Sequence, residues 1–156
     1  PTSDVRVRQA IAYEVDRNFI VKALFLNSSQ PALTGIHPDS PFYDPSVPAY
    51  NVNIDKANKI LDDAGYKRGN DGMRFKLTVD FGWASIKAPA EYLKPQLKKI
   101  GIDLAVRSSA DFPTWAKRIS SHDFDMTWDV VFNWGDPVIG VHRTYLSSNI
   151  KKGVIW

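Results

Sequence analysis

FKLTVDF (Phe75–Phe81), then IKAPAEYLKPQLKKI (residues 86–100), then IDLAVR (residues 102–107) is the run from which the fold is read. In the first string Phe75, Leu77, Val79 and Phe81 fall on one side, the period of two that marks a strand with one buried face. In the second, Ala90, Leu93, Leu97 and Ile100 share one face of a helix. Gly101 stops that helix, and Lys98 and Lys99 suit its negative end. Pro95 breaks the local rule. It removes a hydrogen bond and predicts a kink costing about 3 kcal/mol unless packing compensates. Ile102, Leu104 and Val106 alternate as a second strand. Asp111 then stands as cap of a helix carrying Trp115 and Ile119. Phe124, Met126, Trp128, Val130 and Phe132 read as a third strand over residues 124–132. Strand–helix–strand–helix–strand predicts an α/β lobe with right-handed crossovers and a mainly parallel sheet flanked by helices.

The second face of these strands does not fit that pattern cleanly. Buried parallel strands read as continuous apolar runs. Here the other face carries Lys76, Thr78 and Asp80, then Asp103 and Arg107, then Asp125, Thr127 and Asp129. Either that face is thinly covered, or its cover comes partly from chain outside this sequence.

Upstream lie two capped helices. NIDKANKILDDAGY (residues 53–66) has Asn53 as N-cap and Asp55 in the first turn, where the helix dipole favours an anion. Ala57, Ile60, Leu61 and Ala64 form its stripe. Gly65 then Tyr66 predict a Schellman stop, with Tyr66 packing back on Leu61. DVRVRQAIAYEVDR (residues 4–17) has Asp4 as cap, with Val7, Ile11 and Val15 on one face. Asp16 caps a following helix with Phe19, Ile20, Ala23 and Leu24, and Arg6, Arg8 and Arg17 read as solvated or paired surface charges. Between the two helices, residues 27–52 are rich in Pro, Ser and Asp without periodicity, and HPDSPFYDP (residues 37–45) sits inside them. A loop of that length is often functional. Phe42 and Tyr43 either face a cleft or pin the loop to the core. Leu61, Leu97, Ile100 and Trp128 are expected in the core.

At 156 residues the chain is expected to form one domain, residues 1–156. No run is long enough to span a bilayer, and no signal peptide is present. With no cysteine, a disulfide framework and a thiolate metal site are excluded. The net charge of +3 is spread along the chain without a basic block interleaved with aromatics, so no nucleic-acid partner is expected. His37, His122 and His142 lack metal-binding spacing, which leaves no metal site. The serine pairs lack a G-x-S-x-G elbow, and there is no Gly-rich phosphate loop. No catalytic residue and no cofactor is assigned.

DVRVRQAIAYEVDR, HPDSPFYDP and NIDKANKILDDAGY, in this order and spacing, resemble the second lobe of family 5 extracellular solute-binding proteins, the dipeptide-, oligopeptide- and nickel-binding receptors of ABC importers. The resemblance covers nearly the whole chain. It implies a lobe like that of type II periplasmic binding proteins. It also implies an excised fragment, since family chains begin with a first lobe and continue past a segment like KKGVIW (residues 151–156). The function it implies is capture of a small solute, a peptide first of all, in an inter-lobe cleft. Its partners would be the missing first lobe and an ABC permease, and its location the periplasm, or the outer surface with a membrane tether. A hydrolytic domain of α/β class, argued from scattered Ser, His and Asp, is the alternative. A nucleic-acid module, suggested by the pI near 9.1 alone, is the third class.

Ligands of open α/β sheets bind beyond the carboxyl ends of the strands. Asn133, Trp134, Gly135 and Asp136 sit there, after the third strand. In the family's peptide-binding members an aspartate of a similar passage pairs with the ligand's α-amino group, and Asp136 is the match. Asp136 before Pro137 equally reads as a helix N-cap with proline at N1. Trp134 either lines the cleft or belongs to the core. Arg143 either clamps a carboxylate or makes a surface ion pair.

Overall fold

The computed structural model describes residues 1–130, 136–140 and 142–153. The helices are α1 Val5–Glu14, α2 Arg17–Phe19, α3 Ile54–Asp63, α4 Lys87–Lys99, α5 Phe112–Ser120, α6 Pro137–Gly140 and α7 His142–Tyr145. The strands are β1 Phe75–Phe81, β2 Ile102–Ser108 and β3 Met126–Trp128. A π-helical turn, Ile20–Leu24, continues α2, and single 3-10 turns precede α4 and follow α7.

The sheet is parallel throughout, in the order β2-β1-β3. Phe75 stands opposite Ile102, Phe81 opposite Ser108, and Val79 opposite Met126. The chain therefore leaves central β1 for one edge and crosses back over it to reach the other. Right-handed crossovers then put α4 and α5 on opposite faces of the sheet.

On the α4 face the core is apolar. Leu77, Val79 and Phe81 of β1 and Ile102 and Leu104 of β2 pack with Ala90, Leu93 and Leu97 of α4. Val7 and Ala10 of α1 and Ala57 and Leu61 of α3 complete the cluster. The face of α1 that closes it is Val7, Ala10 and Glu14, all buried, while Ile11 and Val15 are only partly covered. The stripe is thus turned from the expected Val7, Ile11 and Val15 (the i, i+3, i+7 set wins over i, i+4, i+8).

Caps and stops follow the sequence. Asp4 accepts from the Arg6 N–H, Asp16 from Phe19, Asn53 from Lys56 and Asp111 from Thr114. Gly65 adopts φ +87, and the Tyr66 N–H donates to the Leu61 carbonyl at 3.0 Å, the expected Schellman bond. The last carbonyls of α4 are taken by arginines rather than by its own lysines. Arg68 donates to Lys99 O at 2.7 Å, and the Arg74 Nε to Ile100 O at 3.0 Å. Arg74 also reaches Asp62 and the Tyr66 carbonyl, tying the ends of α3 and α4 together. Gly101, at φ +79, leaves room for them, since a Cβ there would lie 2.8 Å from the Arg68 guanidinium.

Two further expectations are corrected. The third strand is Met126–Trp128 and not residues 124–132. The Asp125 carboxylate takes the Thr78 N–H at 2.7 Å, standing in for a backbone partner, and Asp129 turns back onto the Val130 N–H at 2.7 Å. Residues 131 and 132 lie outside the described residues. Trp128 is half-buried and packs against the core cluster rather than lying within it. α4 runs through Pro95 as one element. Pro95 stands on the exposed side, where water can take the Glu91 carbonyl that lost its donor.

Candidate ligand face at the strand ends

The second face of the sheet is covered by α5, and its cover is charge as much as oil. Asp80 of β1 is fully buried. Its Oδ2 accepts from Arg107 of β2 at 2.8 and 3.1 Å, and its Oδ1 from Arg118 of α5 at 3.0 Å. Arg107 also pairs with Asp123 at 3.3 Å, and these carboxylates hold its proton more tightly than usual. Beside them the Trp115 indole N–H donates to Thr127 Oγ1 at 3.0 Å, and Thr127 donates to the Asp80 carbonyl at 3.2 Å. One buried carboxylate thus holds β1, β2 and α5 in register. Of the polar residues on that face, Asp80, Arg107 and Thr127 belong to this network, while Lys76 pairs with Asp103 and Thr78 with Asp125.

That network fixes the amino end of α5 over the carboxyl end of β1. Gly82, the first residue past β1, has Trp115 against it, and a Cβ there would come within 3.0 Å of the indole. Trp83, Phe112 and Trp115 form a triangle, with ring centroids 5.2, 5.4 and 5.7 Å apart. Trp115 is enclosed, Trp83 half-buried, and Phe112 is 41% exposed. The crossovers diverge between β1 and β3, so the carboxyl ends of these two strands border the crevice where such sheets bind ligands. Sequence reading missed Trp83 and Phe112. The available signal was an aromatic directly after a strand and another just after a helix cap.

Asp136 is placed as a cap. Its Oδ1 accepts from the Val138 N–H at 2.8 Å, and its carbonyl from the Ile139 N–H at 3.0 Å. Its Oδ2 takes no hydrogen bond from the described residues. Asn133, Trp134 and Gly135 lie outside the described residues, as does the side chain of Arg143. Phe42 is 58% exposed in a turn held by Ser40, and Tyr43 is half-buried. No hydrogen bond or ring contact among the described residues joins either one to Asp136 or to the aromatic triangle. Arg17, expected to be a surface charge, is partly buried and donates to the Tyr50 carbonyl at 3.0 Å.

Two of the grooves formed by the described residues lie elsewhere. One, of about 510 Å³, runs between Lys94, Pro95 and Lys98 of α4 and the start of β2. The other, of about 450 Å³, lies between Arg17, Pro31, Leu33 and Tyr50. Neither borders the strand ends. Among the described residues, no group of three or more His, Asp or Glu side chains is placed to hold a metal ion.

The comparisons agree with this architecture. Residues 1–152 match the family model for bacterial extracellular solute-binding proteins, family 5 Middle. The oligopeptide-binding protein OppA of Lactococcus lactis is 30% identical over 145 residues, covering 83% of this chain and 24% of the relative. The dipeptide-binding protein of Escherichia coli is 26% identical over 68% of this chain and 20% of its own length. The oligopeptide-binding protein AppA of Bacillus subtilis, solved with a nonapeptide, superposes with a TM-score of 0.76 at 28% identity, over 99% of this chain and 33% of that one. This chain therefore spans between a fifth and a third of these relatives' own length. On the family match over almost its whole length, the chain belongs to the bacterial extracellular solute-binding proteins of family 5.

Proposed function

We propose that this chain is one lobe of a two-lobe receptor, residues 1–156 forming part of its second lobe, and that it supplies one wall of a cleft for a small solute. Peptide is the solute class. The receptor works outside the cytoplasm, in the periplasm or tethered to the outer face of a membrane, and hands its ligand to an ABC permease. The observation that carries this reading is the likeness to AppA, a receptor solved with a peptide bound, along nearly all of this chain. The geometry supports it. The aromatic triangle stands at the crevice that such a sheet offers to ligands, and the Asp136 Oδ2 takes no hydrogen bond from the described residues. Capture by closure against a first lobe would bury the peptide between these groups and their counterparts. Asn133, Trp134, Gly135, Arg143, Phe42 and Tyr43 remain candidate contacts on the grounds given by sequence. The named relatives are binding proteins, so the hydrolase alternative gains no support.

The test is Asp136→Asn in the two-lobe receptor, with pooled short peptides titrated in a calorimeter. Binding is expected to weaken more than tenfold while the melting temperature stays nearly constant, because asparagine still caps a helix. Normal binding with a lowered melting temperature would leave Asp136 as a cap only.

A further inference from the structure

Glu14 is the one acid on the buried stripe of α1, the i+7 partner of Val7 in a set completed by Ala10. Its side chain is 1% exposed, and neither of its carboxylate oxygens has a hydrogen-bond partner among the described residues. It is also the last residue of its helix, where the dipole is negative and a carboxylate is disfavoured. The facing groups can be named. From α4 comes Lys99, whose ammonium stops 3.7 Å short of Oε1 and is held by Gln96. Tyr92 of the same helix feels the charges of Glu14 and Asp16. From α3, Lys56 is engaged over the Tyr13 ring at 4.4 Å. Asp16, beyond the end of α1, adds a second negative charge and is itself committed to capping α2. One cation at salt-bridge range, without a hydrogen bond, does not repay taking a carboxylate out of water.

We propose that Glu14 is a proton-operated latch between α1 and α4: the helices stay closed while its carboxyl is neutral and part when it ionises. Burial pushes the Glu14 carboxyl above the usual glutamate range, and Lys99 opposes this only in part. The sign follows. A carboxyl that holds its proton more tightly folded than unfolded adds stability that is fully present below the unfolded value. That stability is lost as pH rises through the folded value. The lobe therefore tightens in mild acid and loosens toward neutrality. This sensitivity sits in the core that carries α4, on the far side of the sheet from Asp80.

The test uses this chain and its Glu14→Gln variant, melted between about pH 4 and about pH 8, a window that starts at the ordinary glutamate value. The two melting curves are expected to coincide in acid. The wild type should fall several degrees below the variant as pH rises. In parallel, ¹³C NMR titration of the Glu14 carboxyl in the wild type is expected to show a midpoint above the ordinary glutamate range. Protection of the α1 amides from hydrogen exchange, relative to their base-catalysed intrinsic rate, should fall with that same midpoint. Adding Lys99→Met should steepen the loss in the wild type and do nothing to it in the Glu14→Gln background. Parallel melting curves, a carboxyl midpoint at or below the ordinary range, or protection that falls evenly along the chain would overturn the proposal. The carboxyl titration decides the matter even if the variant does not fold.

Discussion

The two faces of β1 are held by different physics. Toward α4, Leu77, Val79 and Phe81 pack in one cluster with apolar side chains of α1, α3, α4 and β2. Toward α5, Asp80 meets two guanidiniums, and Thr78 and Thr127 add hydrogen bonds of their own. The apolar face is non-directional and tolerates any set of side chains of the right volume. The polar face is directional. Its ion pairs fix which residue of α5 lies over which residue of β1, and so where Trp115 and Phe112 stand at the strand end. One face supplies stability. The other supplies register for the candidate ligand face.

Substitutions can break that contrast, and the largest loss is expected on the apolar face. Leu61 is fully enclosed between α3 and the core, so Leu61→Ala should cost about 3–5 kcal/mol in urea denaturation. A loss under about 0.5 kcal/mol would place it at the surface. Asp80→Ala strands two arginines. Their side chains remain 29% exposed, so the expected cost is near the lower end for a broken buried pair, about 3 kcal/mol. The sharper variant replaces the whole set, Asp80→Leu with Arg107→Met and Arg118→Met. Stability should recover to within about 1 kcal/mol of wild type, while the near-ultraviolet dichroism of the packed Trp83 and Trp115 changes. Full recovery of both signals would show that the charges do not set register. Trp115→Phe removes the indole bond to Thr127 and should cost about 1 kcal/mol, more if the smaller ring leaves a void.

The same contrast explains what was legible in the sequence. The apolar face is written as periodicity, so Phe75–Phe81, α3, α4 and their caps could be read from local spacing. The polar face is written as pairings 27 and 38 residues apart, which no window sees. Asp80 and Arg107 therefore looked like unrelated charges on a thinly covered face, and Arg118 was not singled out. The third strand was read too long because its alternation runs on past the point where Asp125 and Asp129 replace ladder bonds with side-chain bonds. The cap role of Asp136 was legible from the D-P pair. Trp83 and Phe112 were not, since neither belongs to a periodic stripe and only the crossing of α5 over β1 brings them together.

A chain that furnishes one wall of a peptide cleft, as proposed, needs a second lobe to close it. The most direct measurement is calorimetry of pooled short peptides against the isolated chain and against the two-lobe receptor. Affinity depends on enclosing most of the ligand surface. The isolated chain should therefore give no binding heat at micromolar concentration, while the receptor gives a saturable one-to-one isotherm. Tight stoichiometric binding by the isolated chain, or none by the receptor, would contradict the account.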